Sequence, residues 1–300
     1  MDIKFEDISR FYPSDEEIDA WVEEIWKESE KRAYTVEEVW IDPHPFLLDG
    51  FGIPYNHPFL MKFTVEGLDS FYVTYYQPIS GPKPLLCFLP GYGDRMQLVS
   101  SAVAHDFACI SVSPKPTLKE GWSVYPETIR TRGKGGYFEW LLQVAIAVKW
   151  TWKEKSKYVL HERVSFYGSS QGGGTAVILG SIFSNRGTKC VMADVPFLTN
   201  APLAVSLGSY AVLDIAKQAM EENEFWHYAG LVDTLLHARR LDVPVMVTAN
   251  EKDGSCPPET VRTLYEKLSS TKLLLEIKDR EHWSNNEFER LVMTWAGMYA

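Results

Sequence analysis

Cysteine is scarce in this chain of 300 residues, and its four cysteines lie far apart, as Cys87, Cys109, Cys190 and Cys256. No two of them form a CxxC pair, so the sequence offers neither a cysteine zinc site nor a disulfide scaffold. Scattered single cysteines are typical of proteins from a reducing compartment.

Long apolar runs are also missing. No stretch approaches the roughly 18 continuous apolar residues from which a membrane-spanning helix is inferred. The N-terminal stretch MDIKFEDISRFYPSDEE is polar and acidic, without the basic start and apolar run of a secretory signal. We therefore expect a soluble, cytoplasmic protein that does not enter a membrane.

Basic residues are outnumbered and dispersed. The chain has 30 Lys and Arg against 40 Asp and Glu, and its formal net charge is −10. An acidic surface repels polyanions, so neither nucleic acid nor an anionic membrane is expected as a partner.

Apolar residues, in contrast, are plentiful. They make up 45% of the chain, and aromatic residues make up 13%, which is enough for a substantial core. The chain has no internal repeat and no low-complexity linker. Its length suits one large α/β unit, and the sequence predicts a single domain over residues 1–300.

The N-terminal part predicts a helix followed by antiparallel strands. Ser14 and Glu17 have the spacing of a capping box. Trp21 and Trp26 then fall among apolar residues at helical spacing, which we interpret as packing against a core. Residues 35–76 contain several β-like runs separated by proline and glycine, which favours antiparallel strands.

From residue 84 onward, short apolar runs alternate with helix-like segments. The runs are PLLCFLP, FACISVS, RVSFYG, KCVMADV, PVMVTA and KLLLEI. The helix-like segments include residues 137–152, 171–184 and 284–299. This alternation is typical of a mostly parallel sheet covered by helices on both faces. The predicted class is therefore α/β.

The glycine-rich stretch RVSFYGSSQGGGTA, residues 163–176, raises the possibility of a phosphate loop. Gly168, Gly173 and Thr175 nearly fit the pattern GxxxxGK[ST], but Gly174 occupies the position of the lysine that grips phosphate. The third glycine of a dinucleotide fingerprint is missing too. Neither kind of nucleotide site is predicted.

The same stretch fits a nucleophile elbow, GxSxG, between a strand and a helix. The turn is so tight that only small residues fit two positions before and after the nucleophile. With Ser170 as nucleophile these positions are Gly168 and Gly172, whereas with Ser169 they hold a tyrosine and a glutamine. Ser170 is the predicted nucleophile, and an ordinary glycine turn is the alternative.

A serine nucleophile needs a base and an acid that orients it, in the chain order serine, acid, histidine for this type of elbow. After the strand PVMVTA the sequence offers Asp253, with Glu251 as a weaker alternative. After the next strand comes His282, the only histidine beyond the candidate acid. Asp253 and His282 complete the predicted triad.

Stabilisation of an oxyanion needs two N–H donors. One is expected from Gln171, directly after the nucleophile at the start of a helix. The second is expected from Tyr92 in the stretch FLPGYGDR, which follows an earlier strand. An ordinary glycine turn is again the alternative for that stretch.

Taken together, these motifs resemble the acetylxylan esterase and cephalosporin-C deacetylase family, the seventh carbohydrate esterase family, of the α/β-hydrolase fold. The resemblance extends over nearly the whole chain. The matching features are the segment Arg132-Gly133-Lys134 against Arg-Gly-Gln, the elbow Gly168–Gly173, the segment DVPFL at 194–198, Asp253 four residues before Pro257-Pro258, and Tyr92 in a Gly-Tyr turn.

The chain also departs from the family pattern. Trp283 follows the base where the family usually has glutamate, Lys134 replaces the glutamine of Arg-Gly-Gln, and Pro90 stands where histidine often precedes the turn. None of these changes removes a member of the triad. The resemblance implies that Arg132 holds loops together near the site rather than touching the substrate.

The resemblance implies hydrolysis of short acyl esters, mainly acetyl, on carbohydrates or similar alcohols. It also implies a homo-oligomer, since members of the family commonly form hexamers. The triad chemistry requires neither metal nor organic cofactor. Two alternatives stay open: a general carboxylesterase, thioesterase or peptidase-like hydrolase of the same fold, and a non-catalytic binding scaffold.

Overall fold

The computed structural model describes residues 8–39, 59–93, 106–113, 134–212, 223–283 and 286–300. Within these residues the centre of the molecule is a nine-stranded sheet. Its strands are β1 (Tyr34–Val39), β2 (Phe59–Val65), β3 (Phe71–Tyr76), β4 (Lys83–Leu89), β5 (Ala108–Ser113), β6 (Val159–Ser169), β7 (Thr188–Asp194), β8 (Val245–Asn250) and β9 (Lys272–Ile277).

The order of the strands across the sheet is β1-β2-β3-β5-β4-β6-β7-β8-β9. The pairs β1–β2, β2–β3 and β3–β5 are antiparallel, as predicted for the N-terminal strands. All pairs from β5 to β9 are parallel. Because parallel strands point the same way, the carboxyl ends of β4, β6, β8 and β9 meet at one edge of the sheet.

Helices surround the sheet among the described residues. They are α1 (Asp15–Lys31), α2 (Lys134–Glu154), α3 (Gln171–Ile182), α4 (Ala201–Ser206), α5 (Asn223–Gly230), α6 (Thr234–His237), α7 (Pro258–Lys267) and α8 (Asn286–Tyr299), with a 3-10 turn at Ala238–Arg240. The three helix-like segments of the sequence correspond to α2, α3 and α8. In the described ranges, no helix has the length and apolar character to cross a bilayer.

The capping box at the start of α1 is formed as predicted. The Glu17 N–H donates to Ser14 Oγ at 3.3 Å, and the Ser14 N–H donates to Glu17 Oε2 at 2.8 Å. Trp21 is buried in the main core, and Trp26 packs against its edge. The α1 tryptophans therefore pack as expected.

The two faces of the sheet bury separate sets of side chains, because neighbouring residues of a strand point to opposite faces. In β4, Leu85 and Cys87 join the larger core with helices α1, α2 and α3, whereas Leu86 joins the smaller core. The smaller core is completed by Phe288 and Val292 of α8. Helices thus cover both faces, and the predicted α/β architecture is confirmed.

Candidate active site

Ser170 occupies a strained turn between β6 and α3. Its backbone has φ 54° and ψ −119°, a region that residues with a side chain rarely adopt. Three backbone hydrogen bonds hold this turn. The Ser170 N–H donates to Asp194 O at 2.8 Å, and Ser170 O accepts from Gly174 N at 3.0 Å and from Phe197 N at 2.9 Å. Strain of this kind is a feature of catalytic nucleophiles.

The glycines on either side of Ser170 lie where no side chain fits. A Cβ on Gly168 would be 2.4 Å from the carbonyl carbon of Gly172. A Cβ on Gly172 would be 2.1 Å from the carbonyl oxygen of Leu89. The close contacts are with backbone, which cannot move aside cheaply. These are the two positions at which the sequence pattern called for small residues.

The three predicted triad residues come together from three separate loops. His282 Nε2 lies 2.9 Å from Ser170 Oγ, and His282 Nδ1 lies 2.8 Å from Asp253 Oδ2. An ionised carboxylate only accepts, so Nδ1–H of a neutral imidazole donates to Asp253. Nε2 then has a lone pair free to accept from the serine hydroxyl. The geometry is that of a serine activated by a histidine base.

The carboxylate of Asp253 is buried and fixed by the turn that follows β8. Its Oδ1 accepts the N–H groups of Ser255 at 2.9 Å and Cys256 at 2.7 Å, which leaves Oδ2 for the imidazole. Glu251 is exposed and accepts from the Asp279 N–H at 2.9 Å instead. The structure therefore places Asp253, not Glu251, beside the histidine.

Asn250 holds the loop that carries the base. From the buried end of β8, its Nδ2 donates to Glu281 O at 2.8 Å and to Trp283 O at 3.1 Å, the carbonyls on either side of His282. Sequence reasoning did not identify this residue. Its one signal was an amide residue at the end of a largely apolar strand.

Ser169 has a partner that sequence reasoning also missed. Its Oγ donates to Asp194 Oδ2 at 3.1 Å, and Asp194 is fully buried at the end of β7. Thr248 of β8 donates to the other carboxylate oxygen of Asp194. Ser169 thus ties the elbow to β7 and β8 and is more than a small residue before the nucleophile.

The two predicted oxyanion donors lie on different elements. Gln171 is the first residue of α3, where backbone N–H groups have no acceptor inside the helix. Its side chain turns into the core, where Nε2 donates to Tyr137 Oη at 3.4 Å. Tyr92 follows β4 and is 54% exposed.

The turn that carries Tyr92 packs directly against the elbow. The carbonyl oxygens of Leu89 and Pro90 lie next to Gly172, at 2.1 Å and 2.9 Å from where its Cβ would be. The role of the Tyr92 N–H as an oxyanion donor stays a prediction. Arg132, predicted to support the loops of the site, lies outside the described residues.

A buried thiol adjoins the triad. Burial raises the pKa of Cys256 well above its usual value, and the Asp253 carboxylate raises it further, although hydrogen bonds that include one with Ser170 oppose this. The thiol is therefore protonated and does not compete with the serine as a nucleophile.

Among the described residues, Asp253, Cys256 and His282 place atoms of metal-ligand type within 4.8 Å of one another. Two of the three are joined by the hydrogen bond of the triad. The remaining acceptors are engaged as well, because Asp253 Oδ1 accepts two backbone N–H groups and His282 Nε2 faces Ser170 Oγ. The cluster is therefore accounted for by the triad and a neutral thiol.

A narrow, largely apolar pocket with room for about one water molecule lies between the segment after β7 and the acid turn. Its walls include Phe197, Leu198, Ala204 and Cys256. Two of these residues contact Ser170 directly: the Phe197 N–H donates to its carbonyl, and the Cys256 thiol lies beside its hydroxyl.

The nine-stranded sheet, the strained serine turn and the loops after β8 and β9 define an α/β-hydrolase fold. A family model described as acetyl xylan esterase (AXE1) matches residues 140–298, more than half of the chain. The chain belongs to this family. The matched residues include the elbow, the acid turn and the base.

One curated relative is similar in sequence over part of the chain. Acetyl esterase Axe7A of Xylanibacter ruminicola (strain ATCC 19189 / DSM 19721 / CIP 105475 / JCM 8958 / 23) is 29% identical over 136 residues, which is 45% of this chain. The match spans 30% of the length of that relative.

Two solved structures are similar over nearly their whole length. Acetyl xylan esterase 1 from Thermoanaerobacterium sp. JW/SL YS485 has a TM-score of 0.74 at 19% identity, covering 99% of this chain and 98% of that one. Acetyl xylan esterase from Paenibacillus sp. R4 has a TM-score of 0.72 at 16% identity, covering 98% and 99%. At such identities the similarity establishes the fold.

Proposed function

We propose that this protein is a serine esterase that removes short acyl groups, above all acetyl, from carbohydrates or similar alcohols. The observation that carries the proposal is the continuous hydrogen-bonded chain from Ser170 Oγ through His282 to Asp253, at 2.9 Å and 2.8 Å, on a strained elbow. A binding scaffold has no need of this arrangement.

In the first step Ser170 Oγ attacks the ester carbonyl carbon while His282 Nε2 takes the hydroxyl proton. Asp253 keeps Nδ1 protonated and stabilises the imidazolium that forms. The tetrahedral intermediate then collapses, and Nε2 passes its proton to the departing alcohol oxygen. The products of this step are the free alcohol and an acyl-enzyme on the serine.

In the second step water attacks the acyl-enzyme. His282 Nε2 takes a proton from the water, and collapse of the new tetrahedral intermediate releases the acid and returns the proton to Ser170 Oγ. Bond making and proton transfer balance without a metal or an organic cofactor. In both steps we assign the backbone N–H groups of Gln171 and Tyr92 to the oxyanion.

Two observations support a short acyl group. The chain belongs to the acetyl xylan esterase family, and the apolar pocket lined by Phe197 and Cys256 has room for about one water molecule. A long acyl chain entering this pocket would have to displace its well-packed walls, which is costly in a close-packed interior.

The acyl preference is tested by initial rates on the acetyl, butyryl and octanoyl esters of one alcohol. We expect kcat/KM to be highest for acetyl and to fall with chain length. A preference for octanoyl would contradict the acetyl esterase proposal and favour a carboxylesterase or thioesterase of the same fold. Absence of hydrolysis between pH 6 and 9, a range around the ordinary pKa of histidine, would favour a binding scaffold.

The family resemblance further supports activity on cephalosporin-C-type acetyl esters and a homo-oligomer, with a hexamer as the expected form. The scattered cysteines support a cytoplasmic location. Residues 1–300 are proposed to form one domain around a single sheet that extends from β1 to β9. Arg132 is proposed to support the loops of the site. Neither nucleic acid nor a membrane is part of the proposal.

A further inference from the structure

Two exposed aromatic side chains lie beside the catalytic acid and base, one on the base loop and the other against the acid turn. Trp283 follows His282 directly and is 70% exposed, and Tyr210 is 65% exposed. Large apolar groups left in water beside a catalytic site are a common sign of a binding surface. Neither side chain has a role in the mechanism proposed above.

The backbone under Trp283 is held firmly. Its N–H donates to Glu281 O at 2.9 Å, and its carbonyl accepts from Asn250 Nδ2 at 3.1 Å. The same Nδ2 donates to Glu281 O at 2.8 Å, and Asn250 is fully buried. The indole is therefore exposed on a backbone that is held in place. An aromatic ring held in this way loses little conformational entropy when a ligand covers it.

The second exposed aromatic residue, Tyr210, contacts the acid turn. Its N–H donates to Gly254 O at 3.1 Å, and a Cβ on Gly254 would lie 3.1 Å from Tyr210 Cε1, so the ring covers the acid turn. Partial burial raises the pKa of Tyr210, and the Asp253 and Glu281 carboxylates raise it further. The phenol is thus within electrostatic reach of both the acid turn and the base loop.

The proposed mechanism determines which part of the substrate meets these rings. His282 Nε2 delivers the proton to the departing alcohol oxygen, so the alcohol must lie on the histidine side of Ser170. Trp283 is the next residue on that side.

We infer that Trp283, assisted by Tyr210, forms an aromatic platform that stacks on the sugar ring of the departing alcohol. A pyranose ring has an apolar C–H face that packs on an indole, while its hydroxyl groups remain in water. The inference rests on the proposed function and deepens it, because it assigns residues to recognition of the carbohydrate part of the ester.

The test compares two esters that differ in whether the alcohol has a ring: acetylated xylobiose and ethyl acetate. In Trp283→Ala we expect the ratio of kcat/KM for acetylated xylobiose over ethyl acetate to fall about tenfold, mainly through KM for the sugar ester. Trp283→Phe should retain most of the ratio. The matched control is Ile79→Ala, which should leave the ratio unchanged. Ile79 is 73% exposed and precedes β4, so it lies at the end of that strand away from the site.

Three results would overturn the platform while leaving the esterase intact. They are an unchanged ratio in Trp283→Ala, a wild type that hydrolyses ethyl acetate but not acetylated xylobiose, and a change of oligomeric mass in Trp283→Ala on light scattering. The last result would assign the indole to a contact between copies of the chain. A wild type inactive on both esters would instead contradict the proposed function.

Discussion

At the scale of single residues, the choice between two nearby carboxylates depends on the fold of one turn. Asp253 and Glu251 are two positions apart, and each is able to orient a histidine in principle. The turn after β8 buries Asp253 against two backbone N–H groups, whereas Glu251 points to solvent. A buried carboxylate with a fixed orientation suits the acid of a triad.

This assignment predicts different outcomes for two matched substitutions. Asp253→Asn should lower kcat by about 10⁴-fold, because an amide no longer holds the productive imidazole tautomer or balances the imidazolium. Glu251→Gln keeps an acceptor for the Asp279 N–H and should change kcat by less than about twofold. Steady-state rates on 4-nitrophenyl acetate measure both. Similar losses in the two variants would contradict the assignment.

Strand order and elbow sterics were enough to propose Ser170, Asp253 and His282 as one group, and the structure places their side chains within hydrogen-bond distance. Local sequence was not enough for Ser169 or Asn250. Ser169 bonds to Asp194, 25 residues away, and Asn250 bonds to carbonyls 31 and 33 residues away. Hydrogen bonds of this kind arise only when separate strands and loops are brought together in the folded chain.

At the scale of elements, the turn from β6 into α3 has no room for a side chain at either of its two elbow glycines. Helix α3 is buried along its whole length, and its first residues press against the end of β4. The two glycines of the elbow are therefore needed for packing as well as for turn geometry. A methyl group at either place meets backbone on another element.

We predict that Gly172→Ala lowers the free energy of unfolding by about 3 kcal/mol or more and removes activity, because its Cβ would meet Leu89 O at 2.1 Å. The control is Gly297→Ala in α8, where nothing lies within 4 Å and alanine is favoured in a helix by about 1 kcal/mol. Urea unfolding followed by circular dichroism measures both. Equal stability of the two variants would contradict the packing argument.

The elements themselves were largely predictable, because apolar runs and helical spacing depend on the local chain. The antiparallel N-terminal strands, the parallel strands and helices α1, α2, α3 and α8 match their sequence patterns. The position of β5 between β3 and β4 was not predictable. It follows from tertiary pairing, to which no local pattern corresponds.

At the scale of the whole molecule, the parallel sheet explains how residues from 92 to 282 come together. The turn of Tyr92, the elbow, the acid turn and the base loop follow β4, β6, β8 and β9, and the ends of these strands share one edge. The sheet therefore builds the proposed site, and the loops around it carry the residues that we propose recognise the substrate, among them Trp283.

The measurement that tests the central claim most directly compares the two adjacent serines on 4-nitrophenyl acetate. Ser170→Ala should lose several orders of magnitude in kcat, as expected when a triad nucleophile is removed. Ser169→Ala should keep kcat within about tenfold, with some loss of thermal stability because its bond to buried Asp194 disappears. Equal losses in the two variants, or an active Ser170→Ala, would contradict the account.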